Sequence, residues 1–131
     1  MFTDRCNRSR FALSLGMAIA LGAAALAPAP GHAKDLRAFV GKYDLFRKNC
    51  GKSGSDGAFR IERRAIKFWE GTCSLRSVRS AGFGKASIAT LRCTSEGETY
   101  TSNLLLALDI DGELLMYYDN NDATLAYRCR K

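Results

Sequence analysis

Histidine is almost missing from this chain, and the single example, His32, precedes a stretch of residues 33–131 that has none. That stretch therefore holds no histidine-based catalytic triad, no Cys–His nucleophile pair and no histidine-ligated metal. Its cysteines, Cys50, Cys73, Cys93 and Cys129, lack the close paired spacing that a four-cysteine metal site requires. No window shows apolar residues at the three-and-four spacing of an amphipathic helix. Residues 11–27 form the one long uncharged run. It is shorter than the ~20 residues of a bilayer-spanning helix and rich in Ala and Gly instead of Leu and Ile.

What that run does have is the flanking chemistry of an export signal. Arg5, Arg8 and Arg10 stand before it, Pro28 and Pro30 break it, and Gly31-His32-Ala33 puts small residues at the third and first places before a cut. The expectation is a signal peptide over residues 1–33 and a single mature domain over residues 34–131, exported to the periplasm or secreted, with no membrane span after cleavage. Cys6 lies ahead of the run, so it is not a lipid-bearing cysteine. Ser9 separates Arg8 from Arg10, which favours the general secretory route over the twin-arginine one. An even number of cysteines in a small exported domain reads as two disulfides, and the expected cofactor complement is none.

Lysine and arginine number 20 and aspartate and glutamate 13; three of the former and one of the latter precede Lys34, leaving a mature net charge of +5. The sign is uneven, because residues 34–92 carry +9 and residues 93–131 carry −4. Arg60, Arg63, Arg64, Lys67, Arg76, Arg79, Lys85 and Arg92 concentrate the positive charge, with Trp69 close by. Clustered cations with an aromatic can grip an acidic protein or a polyanion. Nucleic acid is not the expected partner of an exported chain. The bland alternative is a solvated face.

Period-two alternation dominates the mature stretch. Phe39, Gly41, Tyr43 and Leu45 fall on one side of a first strand, and residues 49–57 are a loop around Cys50. Residues 58–62 and 65–70 form a hairpin with Phe59, Ile61, Ile66 and Phe68 inward and Lys67 and Trp69 outward or half-buried. Residues 73–78 and 86–94 flank a turn at residues 80–84, and residues 99–110 carry a leucine run that reads as covered on both faces. Asp111-Gly112 is a two-residue hairpin signal before a returning strand at residues 113–118, and residues 124–129 close the series. Seven to eight strands in an antiparallel meander predict an all-β, closed or nearly closed small barrel with two disulfides. Positions 73 and 93 are equidistant from Phe83, so the hairpin predicts Cys73 paired with Cys93, which leaves Cys50 with Cys129.

Carboxylates are the remaining route to catalysis. Glu70, Glu96, Glu98 and Asp109 sit at strand ends where an acid and a base could converge, but no spacing defines such a dyad and turn carboxylates are more often solvated. The acidic segment at residues 109–113 lacks the acidic twelfth position of an EF-hand, since counting from Asp109 ends on Asn120. No catalytic, metal or cofactor residue is therefore assigned, and a non-enzyme is expected.

Phe39-Val40-Gly41-Lys42-Tyr43, opening a strand meander, resembles the Gly-x-Trp or Gly-x-Tyr start of lipocalin-like barrels and of the small periplasmic proteinase inhibitors of bacteria. The resemblance implies an eight-stranded barrel that holds a small ligand in its mouth or blocks an enzyme with loops and an N-terminal arm at residues 34–38. Together with the charge pattern it gives a first expectation of a non-catalytic protein of the bacterial envelope that binds a protein partner, as an enzyme inhibitor would. The candidate surface is Arg60, Arg63, Arg64, Lys67, Trp69, Arg76 and Arg79. The alternatives are a ligand cavity between Tyr43, Phe59, Phe68 and Leu106, and a structural envelope protein without a discrete site.

Overall fold

The computed structural model describes residues 34–130, so the expected export signal lies outside the described residues. Eight antiparallel strands close into a barrel in chain order, with β8 returning to β1. They are β1 (Gly41–Asp44), β2 (Ala58–Ile61), β3 (Ala65–Lys67), β4 (Gly71–Ser80), β5 (Lys85–Ser95), β6 (Glu98–Leu108), β7 (Glu113–Tyr118) and β8 (Ala123–Arg128). Among the described residues the only helical pieces are 3-10 turns at Arg37–Phe39 and Arg47–Asn49.

The alternation written in the sequence becomes the wall of the barrel. Tyr43, Phe59, Ile61, Ile66, Leu91, Leu104, Leu106, Leu114 and Met116 point inward and are buried in one apolar cluster. Three rings fill part of that interior, Tyr43 stacking on Phe59 at 5.4 Å and Phe59 on Phe68 at 5.5 Å. The Tyr43 hydroxyl donates to the Phe39 carbonyl at 2.7 Å. Leu36 and Phe39 enter the same core from the end that carries the β2–β3 turn, where the Leu36 N–H donates to the Arg63 carbonyl at 2.8 Å. Residues 34–38 are thus packed against the barrel and are not a free arm. Phe39 lies in the 3-10 turn and not in β1, which begins at Gly41.

Both expected disulfides are present, Cys73–Cys93 and Cys50–Cys129. Cys73 does lie directly opposite Cys93, although the β4–β5 ladder slips between Leu75 and Ser77. Arg76 is the extra residue of that bulge. Beyond it the hairpin is centred half a residue further on, with Ser80 opposite Ser87.

Three local readings change. Residues 65–70 do not form one strand: β3 stops at Lys67, Trp69 and Glu70 make a two-residue turn closed by the Phe68 N–H to the Gly71 carbonyl at 2.8 Å, and Gly71 starts β4. A Cβ on Gly71 would stand 2.8 Å from the Thr94 carbonyl oxygen, so glycine lets the two strands close at this corner. The β6–β7 loop has three residues, Ile110 to Gly112, closed by the Asp109 N–H to the Glu113 carbonyl with Gly112 at φ 83°, so the Asp-Gly pair works in the longer, bulged hairpin and not in the two-residue one. The leucine run of β6 is covered on one face only. Leu104 and Leu106 are interior, whereas Leu105 and Ala107 lean sideways on Tyr117 and Leu115 of β7 as an apolar band on the outer wall.

Candidate functional site

Turns β3–β4, β5–β6 and β7–β8 lie at one end of this up-and-down barrel, here called the rim, whereas the β1–β2 loop folds back along β8, where Arg47 pairs with Glu113 and Cys50 is bonded to Cys129. Inward Tyr43, Phe59 and Ile66 force their chain neighbours outward, and the register then sets Lys42 opposite Arg60 and Arg60 opposite Lys67. Three cations stand side by side on three consecutive strands. Like charges directly opposed work against the sheet, so nothing in the fold itself asks for this row. Lys67 is partly neutralised by Glu62 at 2.9 Å, whereas Lys42 and Arg60 have no carboxylate within ion-pair distance among the described residues.

A fourth cation comes from the long β1–β2 loop. Cys50–Cys129 pins that loop to the end of β8, and the Leu45 N–H bonds the Gly57 carbonyl at 3.1 Å. Asp44 is buried beneath it and accepts the Phe46 N–H at 2.8 Å. So held, the loop brings Lys52 to a groove of about 430 Å³ that Lys42, Arg60, Lys67, Phe68 and Trp69 also line.

The seven residues of the expected surface are not one surface. Arg60, Lys67 and Trp69 meet at this groove. Arg63 and Arg64 occupy the β2–β3 turn at the far end, and Arg63 is committed to Asp35 through Nη2 at 2.6 Å. That contact, followed by those from Arg37, holds the Asp35 carboxyl well below the usual carboxylate range. Arg76 sits in the β4 bulge and Arg79 lies opposite Ile88, both towards the far end of β4. Lys42 and Lys52 were missing from the expected set. The period-two rule already put Lys42 on the outer face beside inward Tyr43, while Lys52 needed the loop clamp, which no local pattern reveals.

The other expectations are placed as follows. Tyr43, Phe59 and Phe68 stack in the space proposed for a ligand, and two open volumes lie beside Phe68 and Tyr100. Glu70 and Glu96 are exposed in rim turns, Glu98 is exposed at the start of β6, and Asp109 stands at the opposite end with its Oδ1 accepting the Asp111 and Glu113 N–H groups at 2.9 and 2.8 Å. Those hydrogen bonds account for the acidic segment as a turn. Among the described residues no group of three His, Cys, Asp or Glu side chains is placed to hold a metal, and no helix is long and apolar enough to cross a membrane. Burial raises the Tyr43 and Tyr118 hydroxyls above the ordinary tyrosine value, most of all through desolvation. Comparison with protein families, with curated proteins and with solved structures gave no match.

Proposed function

We propose that this chain is a non-catalytic exported protein of the bacterial envelope that binds an acidic surface of a partner protein, in the manner of an enzyme inhibitor. The observation that carries the reading is the Lys42–Arg60–Lys67 row, joined by Lys52 around one groove and bordered by exposed Trp69. Cations set at fixed spacing on adjacent strands offer a preformed counter-surface, and an aromatic at its edge adds contact area at small entropic cost. The two disulfides support an oxidising compartment, which is the setting that the export signal expects.

Immobilised poly-L-glutamate, standing in for the acidic surface, separates a specific groove from general positive charge. Arg60→Glu and Arg79→Glu change the net charge equally, yet only Arg60 lies in the groove. The expected result is affinity that falls with salt and drops at least about tenfold more in Arg60→Glu than in Arg79→Glu. Equal losses would mean that binding follows net charge alone and would overturn the assignment.

A further inference from the structure

Beside the basic groove, on the other flank of Trp69, the rim holds a cavity of a different make. It encloses about 490 Å³ and is lined by Phe68, Trp69 and Tyr100 together with Asp56, Glu70, Thr72, Thr94 and Ser95, and by no lysine or arginine. Trp69 is 69% exposed and Tyr100 51%. Leaving two large rings in water forgoes burial that folding usually exploits, so their exposure at one cavity calls for an explanation.

Both rings are held by backbone. The Trp69–Glu70 turn is closed by the Phe68–Gly71 hydrogen bond and tied to β5 by the Ser95 hydroxyl, which donates to the Glu70 carbonyl at 3.1 Å. Gly71 permits the close approach to Thr94 that this geometry needs. Tyr100 lies opposite Cys93 on the portion of β6 that extends past the last β6–β7 pair, Leu104 with Tyr118, so no β7 residue pairs with it. The backbone that carries the two rings is therefore set before any ligand arrives.

The lining restricts what can sit there. Exposed ring faces ask for a ligand with an apolar, C–H-bearing face. Carboxylates and hydroxyls around them ask for many O–H donors, since ionised acceptors form the stronger hydrogen bonds. Neither Asp56 nor Glu70 has an ion-pair partner among the described residues, and without a cation in the wall an anionic ligand is disfavoured. A pyranose ring unites an apolar face with a hydroxyl-rich edge. We propose that the rim cavity is a binding site for a neutral saccharide, stacked on Trp69 and Tyr100 with its hydroxyls donating to Asp56 and Glu70.

Trp69 is the only tryptophan in the chain and borders both the cavity and the basic groove, so its fluorescence detects a ligand and the amide shifts assign it to the cavity. The probes are maltotriose, cellotriose and N,N′,N″-triacetylchitotriose, titrated to millimolar concentrations against the disulfide-bonded protein, with amide NMR shifts recorded in parallel. At least one sugar should give a saturable change in Trp69 emission and move amides of residues 69–72 and 94–100. Tyr100→Ala and Glu70→Gln should each weaken it at least about tenfold while the near-ultraviolet circular dichroism stays unchanged. Arg60→Glu should bind the sugar as wild type does, which separates this site from the anion-binding groove. Silence from all three sugars in both measurements overturns the proposal. So does a response to choline in place of sugars, which would make the cavity a cation site.

Discussion

Asp35 ties the segment ahead of β1 to the β2–β3 turn. Its Oδ2 accepts Arg63 Nε and Nη2 at 2.9 and 2.6 Å, and its Oδ1 accepts the Arg37 N–H at 3.0 Å. The next residue, Leu36, is fully buried, so this exposed ion pair anchors an apolar plug. Because the folded carboxyl titrates below its unfolded value of about 3.9, the contribution is complete above that pH and disappears only as pH falls through the lower folded value. Asp35→Asn should therefore shift the urea midpoint by a small, constant amount from neutrality down to about pH 4, with the difference closing in stronger acid and shrinking in high salt. A difference already gone in milder acid would show that the two arginines are not what lowers this group.

Strand lengths are unequal, and that leaves an edge in a closed barrel. β6 pairs with β7 only from Leu104 onward. The Asn103 carbonyl accepts the Asp119 N–H at 3.2 Å and its N–H donates to Asp119 Oδ2 at 3.1 Å, which shows that odd-numbered β6 residues aim their backbone groups at the β7 side. By period two, Thr101 aims there as well, where no strand stands. Thr101→Pro should thus fold and melt close to wild type, whereas Leu105→Pro, which loses a ladder bond to β7, should be strongly destabilised or unfolded. Thermal melts of the two variants decide it, and equal damage would mean that the β6 overhang is paired in solution. No residue pattern announces this overhang, because register and strand length come from closure of the whole sheet. The inward residues of the first hairpin were legible: Phe59, Ile61 and Ile66 follow the alternation, and the hairpin count placed Cys73 against Cys93. The Arg76 bulge was not, since no glycine marks it, and neither was the Trp69–Glu70 turn, whose residues carry no turn preference.

Closure of the molecule as a whole rests on a short ladder. β1 and β8 share two register pairs, Tyr43 with Arg128 and Asp44 with Tyr127, helped by the Cys129 N–H to the Lys42 carbonyl at 2.9 Å. Cys50–Cys129 spans that seam from the outside with a sequence separation of 79, while Cys73–Cys93, at a separation of 20, joins strands already bound along a long ladder. Chain entropy alone ranks the first bridge at about 4.5 kcal/mol and the second at about 3 kcal/mol, as upper bounds. The seam adds a qualitative difference. Replacing Cys50 and Cys129 by alanine should remove hydrogen-exchange protection from β1 and β8 while β4, β5 and β6 stay protected. Replacing Cys73 and Cys93 should lower stability throughout and leave the seam as protected as its neighbours. The first change should also release the β1–β2 loop and with it Lys52, so binding to poly-L-glutamate should weaken in the Cys50/Cys129 variant and persist in the other. The same pair of proteins thus tests closure and groove together. If the seam keeps its protection without the bridge, the two register pairs are enough to close the barrel, and the disulfide serves the loop alone.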